Sequence, residues 1–234
     1  MIRIVVTLCT ATACVAVTVA ATVPASAAVA AAPPPSGLAA IQAAGARATS
    51  DRVTALTSAI TRIQANLQLG YDDKDTAVET LQRDVTAMHE LDAKIAADTD
   101  EATARADYQS VFTGYRVYVL AIPQAHLAIA ADCITAVAVP KLTDAQHRLA
   151  AALAGPDAAK NTPQLQAELA DMAAKIDAAG NVLDGVASAA LAATPARWNA
   201  DHGVLAPQRS AIATATADVA AARADAAAIL AVLS

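Results

Sequence analysis

Aromatic side chains are scarce in this sequence: one Trp, one Phe and four Tyr among 234 residues, with only eight glycines. Runs of β-branched and aromatic residues with a period of two are absent, which excludes a strand-built domain. No basic stripe exists either. Lys and Arg number 16 against 22 Asp and Glu, and most are interleaved with acidic residues. A net charge of −6 without a positive patch disfavours nucleic acid and anionic membranes as partners. Catalytic signatures are missing too: there is no G-x-S-x-G elbow, no phosphate loop and no Cys–His arrangement. His89, His126, His147 and His202 are scattered, with no pair four apart on one helix face, so no metal is expected. The stretches Asp72-Asp73-Lys74-Asp75 and Asp98-Thr99-Asp100-Glu101 lack the glycine turn and distal Glu of a calcium loop and read as helix caps. Asp84 and Glu90 read as members of solvated helix faces. The expectation is a protein that is not an enzyme and carries no cofactor.

What is present is alanine, at roughly three residues in ten. Alanine is the best helix former, because it loses no side-chain entropy on folding. The fold class expected is all-α. Residues 1–27 join a lone Arg3, an apolar run from Ile4 to Val19 and an Ala25-Ser26-Ala27 exit, the order of a secretory signal peptide cut near Ala27-Ala28. Lipid anchoring through Cys14 is a poorer reading, since Ala11 rather than Leu stands three residues before it. With Cys9 and Cys14 in the leader, Cys133 is left as a small apolar core residue, with an intermolecular disulfide as the alternative. Residues 28–37, with Pro33-Pro34-Pro35-Ser36-Gly37, read as a disordered linker. Residues 38–234 then form a single domain.

Hydrophobic spacing divides that domain. Val53, Leu56, Ile60, Ile63 and Leu67 make a heptad seam on a first helix from Leu38 to Leu69, stopped by Gly70. Val78, Leu81, Val85, Met88, Leu91 and Ile95 mark a second from Asp75 to Ala97, and a third runs from Glu101 to Val119. Pro123 starts or kinks the next helix, which bends near Pro140 and continues to Gly155-Pro156. After a Thr162-Pro163 start, four-three spacing runs from Leu165 to Val186. Ala196 to Ala206 reads as irregular. Pro207 opens the last helix, with Ile212, Val219, Ala226 and Leu233 one heptad apart. Together these predict a monomeric antiparallel bundle of long helices with coiled-coil-like seams, an intermolecular coiled coil being the alternative. The apolar stretch Val117 to Val139 is long enough to span a bilayer, but Pro123, Gln124, His126 and Asp132 interrupt it. A mid-membrane Asp costs about 2.5–3.5 kcal/mol, so this stretch reads as buried core and no span is expected in the mature chain.

Two segments stand out as candidate ligand-binding sites. Tyr108, Phe112 and Tyr115 share a helix face at i, i+4 and i+7, with Tyr118, Arg105 and Arg116 alongside. Such a group offers a stacking platform on which Arg116 holds an anionic group, or gap-filling rings between alanine-rich helices. Trp198-Asn199-Ala200-Asp201-His202-Gly203 joins an indole, an amide, a carboxylate and an imidazole, types suited to binding or to latching helix ends. The binding set is therefore Tyr115, Arg116, Tyr118, Trp198, Asn199 and His202. Large side chains in an alanine-rich bundle must gather where helices spread apart. The two segments are thus expected to meet, with Arg116 pairing to Asp201.

In Tyr115-Arg116-Val117-Tyr118-Val119-Leu120, Pro123, His126-Leu127, Ala130-Ala131-Asp132, Trp198 to Leu205 and Ala222 to Asp225, the chain resembles a group of uncharacterised exported helical proteins of actinobacteria. The resemblance implies an exported, coiled-coil-like helical fold and no particular activity. The function expected is a structural or interaction module of the cell envelope or medium, with an envelope component or protein as partner. The alternative is a binder of a lipid or other amphipathic ligand, with a site between helices near Phe112 and Tyr115.

Overall fold

The computed structural model describes residues 35–65 and 71–234. The leader, most of the linker, and Leu67, Leu69 and Gly70 lie outside them. Among the described residues there is no strand, and the chain is an all-α bundle. Its helices are α1 (Leu38–Ala65), α2 (Tyr71–Ala97), α3 (Glu101–Thr113), α4 (Ile122–Cys133), α5 (Val139–Ala154), α6 (Pro163–Val182), α7 (Val186–Leu191), α8 (Pro195–Ala200) and α9 (Ala206–Leu233). Wider π turns, Val117–Ala121 and Ile134–Ala138, precede α4 and α5. Pro123 and Pro140 stand just after these turns. A proline lacks the N–H of the regular ladder and its ring crowds the preceding turn, and a widened turn relieves both problems. Helical structure therefore continues through each proline instead of ending.

The seams form two cores. The first collects Leu56, Ile60 and Ile63 of α1, Val78, Leu81, Met88, Leu91 and Ile95 of α2, and Val111 of α3. The second collects Leu165, Leu169, Met172 and Ile176 of α6 with Ile212, Val219, Ala226 and Ile229 of α9, beside Leu142, Leu149 and Leu153 of α5. Helix α4 belongs to both. Ala125, Ile129 and Cys133 face the first core, while Leu127, Ala128, Ala130 and Ala131 face the second. Eight of its twelve residues are buried, Gln124 among them, while His126 stays exposed, and a helix packed on two faces needs apolar residues on both. That explains the long apolar stretch: from Glu101 to Ala154 the chain is long and apolar enough to cross a membrane, and 67% of its most apolar window is buried within the protein.

Neighbours run antiparallel. Gln42, near the start of α1, donates to the carbonyls of Ala96 and Asp98 at the end of α2. Lys160, just before α6, donates to the carbonyl of Leu233 at the end of α9, at 2.6 Å. Small residues let these pairs close: a Cβ added to Gly45 would stand 2.8 Å from Ile95 Cγ2.

Several boundaries differ from the sequence expectation. Helix α2 begins at Tyr71, so Asp73 and Asp75 lie inside it rather than before it, where their charge still suits the positive helix end. Asp100 does cap α3, accepting from the Thr103 N–H at 2.9 Å. Helix α3 stops at Thr113, not Val119. The four-three run from Leu165 to Val186 is split by Gly185, whose φ of 67° is readily adopted only without a side chain. Residues expected to be irregular include the short α8, capped by Thr194. Six residues are too few to show a helical period.

Candidate functional site

The corner between α3 and α4 is set by Gly114 and Arg116. The Gly114 N–H bonds back to the Ser110 carbonyl at 2.8 Å and closes α3. Arg116 then takes φ 51°, the only positive φ at a described residue other than glycine. Left-handed backbone costs an ordinary residue about 1–2 kcal/mol. The return is local: the Arg116 carbonyl, turned inward, accepts from the N–H groups of Val119, Leu120 and Ala121, starting the π turn.

The side chain of Arg116 reaches α8. Its Nε donates to Asn199 Oδ1 at 2.6 Å, and Asn199 Nδ2 donates to the Thr113 carbonyl at 3.0 Å. One amide thus holds the arginine and satisfies a carbonyl left over at the end of α3. The two sequence segments do meet. Their expected ion pair does not form, because Asp201 Oδ1 accepts from the Gly203 N–H at 2.7 Å in the turn before α9. Trp198 lies half-buried against the second core, and His202 stands over it with ring centroids 5.5 Å apart.

The aromatic group is arranged differently from the sequence reading. Tyr108 and Phe112 are neighbours on α3, edge to face at 5.1 Å. Tyr115 lies beyond the helix end and packs against the first core instead of sharing their face. Phe112 and Tyr118 face a cation that the sequence did not suggest. Arg52 of α1 places its guanidinium carbon 4.5 Å from the Phe112 centroid and 5.2 Å from that of Tyr118. Only 8% of Arg52 is exposed, whereas Phe112, Tyr118 and Val119 keep 37%, 50% and 42%. The missed signal is that the α1 seam continues through Ile41, Gly45, Thr49, Arg52, Leu56, Ala59 and Ile63, every one of them buried. The 3–4 period survives there, but small and polar residues conceal it.

Arg52 is poorly compensated. Nη1 donates to the Ala48 carbonyl at 2.8 Å, and Nε is buried without a partner. Among the described residues no carboxylate forms an ion pair with Arg52. Burial pulls its pKa below the ordinary arginine value, opposed in part by Tyr118 and Asp51. Lys94 binds Asp107 at 2.8 Å, Arg105 pairs with Glu101, and Asp92 accepts from Thr49 at 3.0 Å. Burial, and next Asp107, push the Asp98 carboxyl upward.

Asp84 corrects a further expectation. It is half-buried, and desolvation raises its carboxyl to about 6. Among the described residues no three His, Cys, Asp or Glu side chains gather as a metal ligand set. A groove of about 580 Å³ lies away from the arginines, between α4 and the α6–α7 turn, lined in part by Asp132, Asn181, Asp184 and Ser188. What the corner offers chemically is a buried cation against two exposed aromatic side chains. No family model, curated protein or solved structure matches the chain.

Proposed function

We propose that the chain is an exported, non-enzymatic helical protein serving as a structural or interaction module of the cell envelope or the surrounding medium. The observation that carries the interaction role is the open corner at Phe112, Tyr118 and Val119, beside helices that bury two apolar cores. Side chains this exposed suit a contact surface better than an enclosed cavity. Export rests on the order of charge, apolar run and small-residue exit in residues 1–27, and kinship with exported actinobacterial helical proteins is part of the same proposal. Cell fractionation with N-terminal sequencing tests it. A shortened protein beginning near Ala28 outside the cytoplasm is the expected result, and full-length protein in the cytoplasm overturns the reading. A second reading, a binder of amphipathic small molecules, is favoured by one specific observation: Arg52 is buried with no carboxylate ion pair among the described residues and with its Nε unpartnered.

A further inference from the structure

A buried cation without a carboxylate is uncommon, because removing a charge from water costs several kcal/mol unless an opposite charge restores it. Arg52 meets this condition, with its charge facing two rings and a backbone carbonyl. Among the described residues its Nη2 forms no hydrogen bond, and unlike Nε it is not fully sealed from solvent. Phe112 and Tyr118 beside it stay exposed, as does Val119, next to Tyr118 in the chain. We propose that this corner is a binding site for a small amphipathic carboxylate, its anionic oxygen on Arg52 Nη2 and its alkyl or aryl body across Phe112, Tyr118 and Val119.

The donor set selects the ligand class. One unsealed, unpartnered nitrogen suits a singly charged oxygen, whereas a phosphate dianion calls for several donors. Asp51, next to Arg52 on α1, and the overall charge of −6 also disfavour a second negative charge. The neutral head of an alcohol leaves the guanidinium uncompensated. Arg116 is engaged with Asn199 and is not required. This inference rests on the second reading above and is independent of export. Failure of the fractionation experiment leaves the site intact, and failure of binding leaves export intact.

The test is calorimetric titration of the purified protein with decanoate, decanol and decyl phosphate below their aggregation concentrations, with thermal melts of each mixture. Wild type is expected to bind decanoate one-to-one and at least about tenfold more tightly than decanol, the difference one charge-assisted hydrogen bond supplies. Arg52→Met keeps the length and apolar stem of the side chain and is expected to abolish that preference while melting no lower than wild type. Tyr118→Ala, at an exposed position, removes part of the apolar wall and is expected to weaken both ligands together. Absence of decanoate binding overturns the proposal, as does equal binding of decanoate and decanol. Tighter binding of decyl phosphate overturns the carboxylate assignment. A lower melting temperature for Arg52→Met with ligand preference unchanged makes Arg52 a purely structural clamp and also overturns it.

Discussion

Arg116 and Asn199 are bonded at 2.6 Å across 83 positions of sequence, and Asn199 returns a second bond to the Thr113 carbonyl. This clasp ties the α3–α4 corner to the short helix before α9. Because Arg116 is held in a left-handed conformation, its two roles separate by substitution. Arg116→Ala keeps the strain and loses the clasp, and is expected to lower stability by about 1 kcal/mol. Arg116→Gly loses the same bond but relieves about 1 kcal/mol of backbone strain, and is expected to unfold within a few tenths of wild type. Urea denaturation of the two variants reads the difference directly; equal losses refute the strain assignment.

Trp198 is packed on the second core and stacked by His202, yet remains only half-buried. Trp198→Ala is therefore expected to cost about 2 kcal/mol, less than the 3–5 typical of a fully enclosed aromatic. A thermal melt with the corresponding chemical denaturation curve checks it.

Asp84 supplies a pH signature. Its folded pKa is raised to about 6 by desolvation, so the folded form binds the proton more tightly than the unfolded chain. Its favourable contribution is complete below the unfolded value near 3.8 and is lost as pH rises through about 6. Asp84→Asn removes that dependence. At pH 7.5 the variant is expected to be more stable than wild type by on the order of 1 kcal/mol, discounted for partial solvent screening. The gain should vanish by pH 4. Denaturation curves across that window decide, and a constant offset rules out the titration.

Two glycines give opposite signs for the same substitution. In Gly45→Ala the new methyl meets Ile95 at 2.8 Å in the closed α1–α2 seam. Overpacking costs about 1–3 kcal/mol and exceeds the helix-propensity gain of nearly 1. Gly180→Ala meets nothing within 4 Å on α6 and is expected to stabilise by about 0.5–1 kcal/mol. Their midpoints in denaturant should move in opposite directions.

The seams were legible because burial repeats along each helix. Leu165 to Ala179 and Ile212 to Ile229 needed only the 3.6-residue period to be assigned to a core. The corner was less legible. Arg116 adopts its conformation because its carbonyl gathers three N–H groups and its side chain finds α8, relationships settled after the helices assemble. Sequence spacing singled out Arg116 and Asn199 but gave Arg116 the wrong partner, since Asp201 is used by its own turn. Arg52 escaped notice because a charged residue in a seam position carries no apolar signal. Burial of Asp84 likewise depends on which helices pass beside α2.

The doubly enclosed helix α4 has a consequence for how the molecule comes apart. With Ala125 and Ile129 on one side and Leu127 and Ala128 on the other, neither half owns a complete interior. Opening either half strips one face of α4 and withdraws support from its opposite face. Melting should accordingly be a single cooperative event, with calorimetric and van't Hoff enthalpies in agreement. The slowest amide protons to exchange with solvent should cluster in Ala125–Ile129 rather than in the longer helices at the periphery. A twelve-residue segment, not either long antiparallel pair, is thus expected to be the last to open.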